Sequence, residues 1–265
     1  MIDSHEDQAA GLRRLFRRSP PTVVALYVAG RAKAQIAVRT AYRLAGGAER
    51  VLILDELRGE DSLAPTLGLA DGSDLLGVLS GRMRAEELLQ SVPGLVGRVP
   101  VGAAALALPL LDEKRREQLI DGLRALYRHA GFVLVHAGEA EEPSPFVCAA
   151  PRRLLVAEAS RSGALEAYAR IKALAASGAG SLHVAVAGAR SRSDASAFFE
   201  SLDALVRTHV GVPLAWLGEI ERDTLAGGLA SEAAQSSPRE PEAAFLRRLA
   251  ALAAARVPPR GALRA

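Results

Sequence analysis

Thr22-Val23-Val24-Ala25-Leu26-Tyr27-Val28, a loop carrying Gly30, a helical stretch from about Ala34 to Leu44, and then Arg50-Val51-Leu52-Ile53-Leu54-Asp55 decide the fold. Both apolar runs are too short for a helix and are bounded by polar loops. Runs of this kind are buried central strands of a parallel sheet, whose two faces are both covered. A helix between two such strands is a crossover connection, and crossovers are right-handed. The pattern then repeats. Leu95 to Val101 reads as a strand, and Asp112 to His129 as an amphipathic helix with Leu119, Leu123, Leu126 and Tyr127 on one face. Phe132 to Val135, Arg153 to Ala157, Leu182 to Val186 and Pro213 to Leu217 read as strands, with helices at Gly163 to Ala176 and Ala195 to His209. This alternation predicts an α/β fold: a doubly wound, mostly parallel sheet with helices on both faces.

Outside this frame lie two helical ends. Leu12, Leu15 and Phe16 recur at helical spacing between Asp7 and Arg18, and Ser19-Pro20-Pro21 stops that helix. Pro241 to Arg256 reads as a last helix, followed by a frayed tail from Val257. The expected organisation is an N-terminal helical arm with a proline linker (1–21), an α/β domain (22–240), and a C-terminal helix with its tail (241–265).

Composition narrows the function classes. The chain has 265 residues, 49% of them hydrophobic and 24% charged, which is enough to bury a large core. Its 33 basic and 30 acidic residues are interspersed and leave a net charge of +3. With aromatics at 4% and no basic stripe, nucleic acid is not an expected partner. Only Lys33, Lys114 and Lys172 are lysine, and asparagine is absent. Coding bias in a GC-rich genome accounts for the arginine and alanine. The single cysteine, Cys148, excludes a disulfide framework and a cysteine-based zinc site, and is expected in the core. No apolar run is long enough to span a membrane, and the acidic start Met1 to Asp7 does not read as a signal peptide. A bacterial cytoplasmic location is the expectation.

In a doubly wound sheet, ligands sit at the carboxyl ends of the strands. A phosphate cradle there needs several glycines, a lysine and a Ser/Thr hydroxyl for magnesium. Between Val23 and Leu44 there is one glycine (Gly30), one lysine (Lys33) and, tyrosines aside, one hydroxyl (Thr40). No register of Ala29-Gly30-Arg31-Ala32-Lys33 satisfies all three needs, although Gly30 with Arg31 and Lys33 could attract an anion at the helix start. Asp55 ends the second strand, where an acid either handles metal or water or serves as a cap or solvated loop acid. His136 ends the strand at 132–135 and reads as a satisfied structural residue. The remaining histidines show no metal spacing, so no metal site is expected.

Two features resemble the MinD/ParA-type P-loop ATPases and, within them, the FlhG (FleN) family that regulates flagellar number and placement. Asp7-Gln8-Ala9-Ala10-Gly11-Leu12-Arg13 matches the DQAxxLR motif with which those proteins begin, just ahead of the first strand. Val51 to Asp55 through Gly59, then Leu67-Gly68-Leu69, follows the spacing of the VLLLDADLG…LLGL segment. Ser73 to Leu79 looks like the helix start that follows it, and Glu166-Ala167-Tyr168-Ala169-Arg170-Ile171-Lys172 resembles the DAYAxIK helix. The resemblance runs in order from Asp7 to about Leu252.

It implies that the arm docks on the flagellar SRP-type GTPase FlhF and stimulates GTP hydrolysis. Gln8, Leu12, Leu15 and Phe16 would form the contact stripe with Ala9, Asp7 and Arg13 would give directional polar contacts, and Gln8 would orient water. It also implies a membrane-targeting C-terminal helix, for which Phe245, Leu249 and Leu252 with Arg247 and Arg248 are the candidates. Weak membrane contact and recruitment to the inner membrane at the flagellar base would follow.

The departures point the other way for catalysis. The KGGVGKS loop is gone, Leu57 replaces the second acid of the DxD segment, and His136 replaces the acid before the DxGAG-type loop. Ala187-Gly188 stands where the family has its base-contacting asparagine. Gly30, Lys33, Asp55 and His136 then mark a degenerate nucleotide site, with ATP and magnesium binding lost. The expected function is a non-catalytic regulator on a pseudo-ATPase scaffold. The alternatives are an active ATPase with a variant loop, and a scaffold that binds flagellar switch or transcription proteins.

Overall fold

The computed structural model describes residues 21–46, 50–138, 142–177, 182–235 and 241–255. The arm at 1–20, with its candidate contacts, lies outside the described residues, as does the tail from 256. Seven strands form one sheet: β1 (Thr22–Ala29), β2 (Val51–Asp55), β3 (Gly97–Pro100), β4 (Phe132–His136), β5 (Arg152–Glu158), β6 (Leu182–Ala187) and β7 (Ala215–Glu219). Their order is β3-β2-β4-β1-β5-β6-β7, and every neighbouring pair is parallel.

The helices are α1 (Lys33–Ala45), α2 (Gly102–Ala107), α3 (Glu113–Tyr127), α4 (Pro145–Ala149), α5 (Arg161–Ala176), α6 (Arg192–His209), α7 (Leu225–Gln235) and α8 (Pro241–Ala255). They cover both faces, as the alternation predicts. Alternate residues of each central strand join different cores. Val24, Leu26, Ile53 and Leu134 pack with Ile36, Ala41 and Leu44 of α1 and with Leu225 and Leu229 of α7. Val23, Ala25, Leu52, Leu54, Val133 and Val135 pack with α3, α5, α6 and α8. Because both faces are buried, the central strands carry no polar alternation.

Three differences from the sequence reading have simple causes. The Ser73–Leu79 segment forms a 3₁₀ stretch at Leu75–Ser80, whose Asp74 cap accepts from the amides of Leu76, Ala103 and Ala104. The last strand lies two residues beyond the expected Pro213–Leu217, because proline has no N–H for the ladder. The alanine-rich α7 contains Gly227-Gly228 and gave no strong helical period.

Candidate functional site

β1 leads back past β4 to β2, whereas its other neighbour β5 leads outward to β6, so the chain leaves the carboxyl ends of β1 and β5 in opposite directions. Such a divergence opens a crevice. Here it is a cleft of about 560 Å³, lined by Tyr27 and Val28 of β1, Arg31 and Lys33 at the start of α1, Leu57, Glu60 and Thr66 after β2, His136 to Gly138 after β4, and Arg170 of α5. Tyr27 is buried, which pushes its hydroxyl pKa up, and the Arg170 guanidinium lies 5.3 Å from its ring centre.

Gly30 holds the turn from β1 into α1 at a φ of +134°, a conformation open to glycine. The amides that follow it face their own chain. Gly30 N–H donates to Glu166 Oε2 at 2.6 Å, and Arg31 N–H donates to Glu158 Oε2 at 2.8 Å. Lys33 Nζ lies 3.3 Å from Glu166 Oε1. Glu158 ends β5 and Glu166 sits on the second turn of α5, so both reach the loop from the neighbouring strand–helix unit. The loop just ahead of α1 thus bonds two carboxylates of the same molecule.

Asp55 and His136 are register partners on β2 and β4. His136 Nδ1 lies 2.9 Å from Asp55 Oδ1, and Arg98 Nε donates to Asp55 Oδ2 at 2.7 Å. The Leu63 amide donates to Oδ2 at 2.8 Å, and the Leu57 amide approaches Oδ1 at 3.3 Å. Asp55, Arg98 and His136 are all buried. Burial alone would raise the Asp55 pKa; the His136 hydrogen bond and charge, the Leu63 amide and the Arg98 guanidinium outweigh it and hold it below the ordinary value. Asp55 is therefore neither a cap nor a solvated loop acid, but the hub of a buried ionic cluster. His136 bonds Asp55 through Nδ1 and also lines the cleft. Arg98 was missed, although a lone arginine inside an expected buried strand is a signal for a buried carboxylate partner.

Next to this hub, the Glu56 carboxylate accepts from the Ser144 hydroxyl. Burial pushes its pKa up to about 7, with Ser144 opposing and the Asp55 charge adding to the rise. Farther along the sheet, Arg222 covers the turn after β6. It donates to the Ala189 carbonyl at 3.2 Å and to the Arg190 carbonyl at 3.1 Å, and lies 3.1 Å from the buried Glu219 carboxylate.

The candidate lipid-binding face is differently placed from the expectation. Phe245 and Leu249 of α8 are inside the core, with the Phe245 ring 5.7 Å from that of Tyr127. Arg247, Arg248 and Leu252 are exposed. The apolar side of α8 packs against α3 and α4, the packing that its shallow, alanine-rich face suits better than lipid. Among the described residues, no helix is long and apolar enough to cross a membrane, and no group of three or more His, Cys, Asp or Glu could hold a metal ion.

A parallel sheet in this order, with its crevice beside β1, defines the MinD/ParA-type P-loop NTPase fold. The chain is similar to MinD in the MinC:MinD cell division complex of Aquifex aeolicus, with 18% identity over 87% of this chain and 95% of that one, and a TM-score of 0.52. MinD of Aquifex aeolicus in a second structure (17% identity, 87% and 95% covered, TM-score 0.49) and a ParA family ATPase of Chlorobium tepidum (15% identity, 89% and 99% covered, TM-score 0.49) are also similar. At these identities the likeness is one of fold. No protein-family model and no curated protein matches the chain.

Proposed function

We infer that this chain is a non-catalytic regulator on a MinD/ParA-type scaffold, acting through its N-terminal segment on the SRP-type GTPase of flagellar assembly. The observation that carries the non-catalytic half is the bonding of Asp55. Phosphoryl transfer on a P-loop scaffold rests on magnesium, phosphate-cradling amides and a positioned water. Both Asp55 oxygens are bonded within the chain, Oδ1 to His136 and Oδ2 to Arg98 and the Leu63 amide, so Asp55 is turned away from a metal shell. The Gly30 and Arg31 amides are bonded to carboxylates. These residues do not fit a magnesium nucleotide, and no catalytic step is derived from them.

The partner half rests on the resemblance of Asp7 to Arg13 to the DQAxxLR motif. The helical spacing of Gln8, Leu12, Leu15 and Phe16 in the sequence suits docking into a groove. The test adds the full-length chain to the flagellar SRP-type GTPase and measures GTP turnover. The expected result is a rise of about tenfold or more, lost in the Gln8→Ala/Leu12→Ala double variant. Equal stimulation by that variant, or none by the native chain, overturns the reading.

A further inference from the structure

We propose that Glu158 and Glu166 are an intramolecular plug: two carboxylates that bond the amides of the loop just ahead of α1, so that this loop holds its own anion and admits no inorganic polyphosphate. This rests on the non-catalytic reading above and adds what keeps the site closed.

Four observations converge on it. The two carboxylates bond consecutive amides, Gly30 and Arg31, from residues more than a hundred positions away in sequence. Glu166 also lies within 3.3 Å of Lys33, the lysine nearest the loop, so its charge is matched there. The Gly30 position accommodates the plug only without a side chain, since a Cβ there would lie 2.4 Å from Glu158 Oε2 and 2.6 Å from Glu158 Cβ. Gly163 lets the first turn of α5 close onto the end of β5, because a Cβ there would lie 2.2 Å from the Glu158 carbonyl oxygen. That approach brings Glu166 to the loop.

Charge explains the consequence. Lys33 offsets Glu166 at 3.3 Å, and Glu158 is held by the Arg31 amide. Without the two carboxylates, the Gly30 and Arg31 amides would open beside Arg31, Lys33 and Arg170, which line the cleft, an arrangement that draws anions. Glu158 is half-buried and Glu166 more exposed, so Glu158 is the main plug.

The test titrates magnesium-free tripolyphosphate into the full-length chain, by calorimetry at low salt, for the native protein and for Glu158→Ala, Glu166→Ala and the double variant. The expected result is no saturable heat for the native chain and binding at least about tenfold tighter for the double variant. Glu158→Ala should gain more than Glu166→Ala, and Lys33→Ala on the double background should abolish the gain. A folded double variant that binds no better than the native chain overturns the plug. So does native binding equal to that of the variant. If the alanine variants fail to fold, Glu158→Gln with Glu166→Gln removes both charges while keeping the shape, and the same increase is required of it. Stimulation of the partner GTPase is read separately, so failure of the plug and failure of the regulatory reading remain distinguishable.

Discussion

Asp55 and Glu56 sit side by side at the end of β2 and turn to different partners, Asp55 to Arg98 and His136, Glu56 to Ser144. The two carboxyls are pushed in opposite directions, because one is surrounded by donors and the other is mainly desolvated. This gives stability a pH dependence with two limbs. Glu56 binds its proton more tightly in the folded chain, so its contribution is full below its ordinary value of 4.5 and is lost as pH rises through about 7. The lost stability is on the order of 3 kcal/mol. Asp55 works the other way: its contribution is full above its ordinary value of 3.8 and is lost as pH falls through the lower folded value. Urea unfolding of the native chain should therefore show falling stability between about pH 4.5 and pH 7, and Glu56→Gln should flatten that limb. A slope unchanged in Glu56→Gln would contradict the assignment. At this scale the sequence was legible where a polar residue ended an apolar run, as Asp55 and His136 do. Glu158 ends β5 in the same way, yet its role depends on Gly30 in another part of the chain, and sequence spacing carries no trace of that contact.

Among the elements, α8 separates the packing reading from the membrane reading. Its Phe245, Leu246 and Leu249 join the core formed with α3, α4 and α5, and Arg247 and Arg248 stay outside. Truncating a buried aromatic side chain removes its transfer energy and leaves a cavity. Phe245→Ala should therefore destabilise the chain by about 3–5 kcal/mol, read as a fall in the urea midpoint without a change of slope. A peripheral helix whose apolar face is kept for lipid would tolerate the change, so an unaltered midpoint would contradict this placement. The helical period announced α8 but not its destination, since the same amphipathic stripe suits a protein core and a lipid surface. The helices α1 and α3 were legible from their periods, and β1, β2 and β4 as short apolar runs bounded by polar loops. The short α2 and α4 and the 3₁₀ turns were not, because their conformations are set by capping and tertiary contacts, such as the Asp74 carboxylate on the Ala103 and Ala104 amides.

For the whole molecule, the sheet has the fold of the MinD structure it resembles, and side chains of the same chain bond one another at the carboxyl ends of its strands. Glu158 and Glu166 bond the loop amides, Arg98 and His136 hold Asp55, and Arg222 covers the turn after β6. The departures from the family motif pointed to missing ligand contacts. The replacements became visible only when strands distant in sequence were brought into register, as Asp55 and His136 are. The most direct measurement is isothermal titration of magnesium-ATP into the full-length native chain. The account predicts no saturable heat up to about millimolar nucleotide. Magnesium-dependent binding in the micromolar range would contradict it.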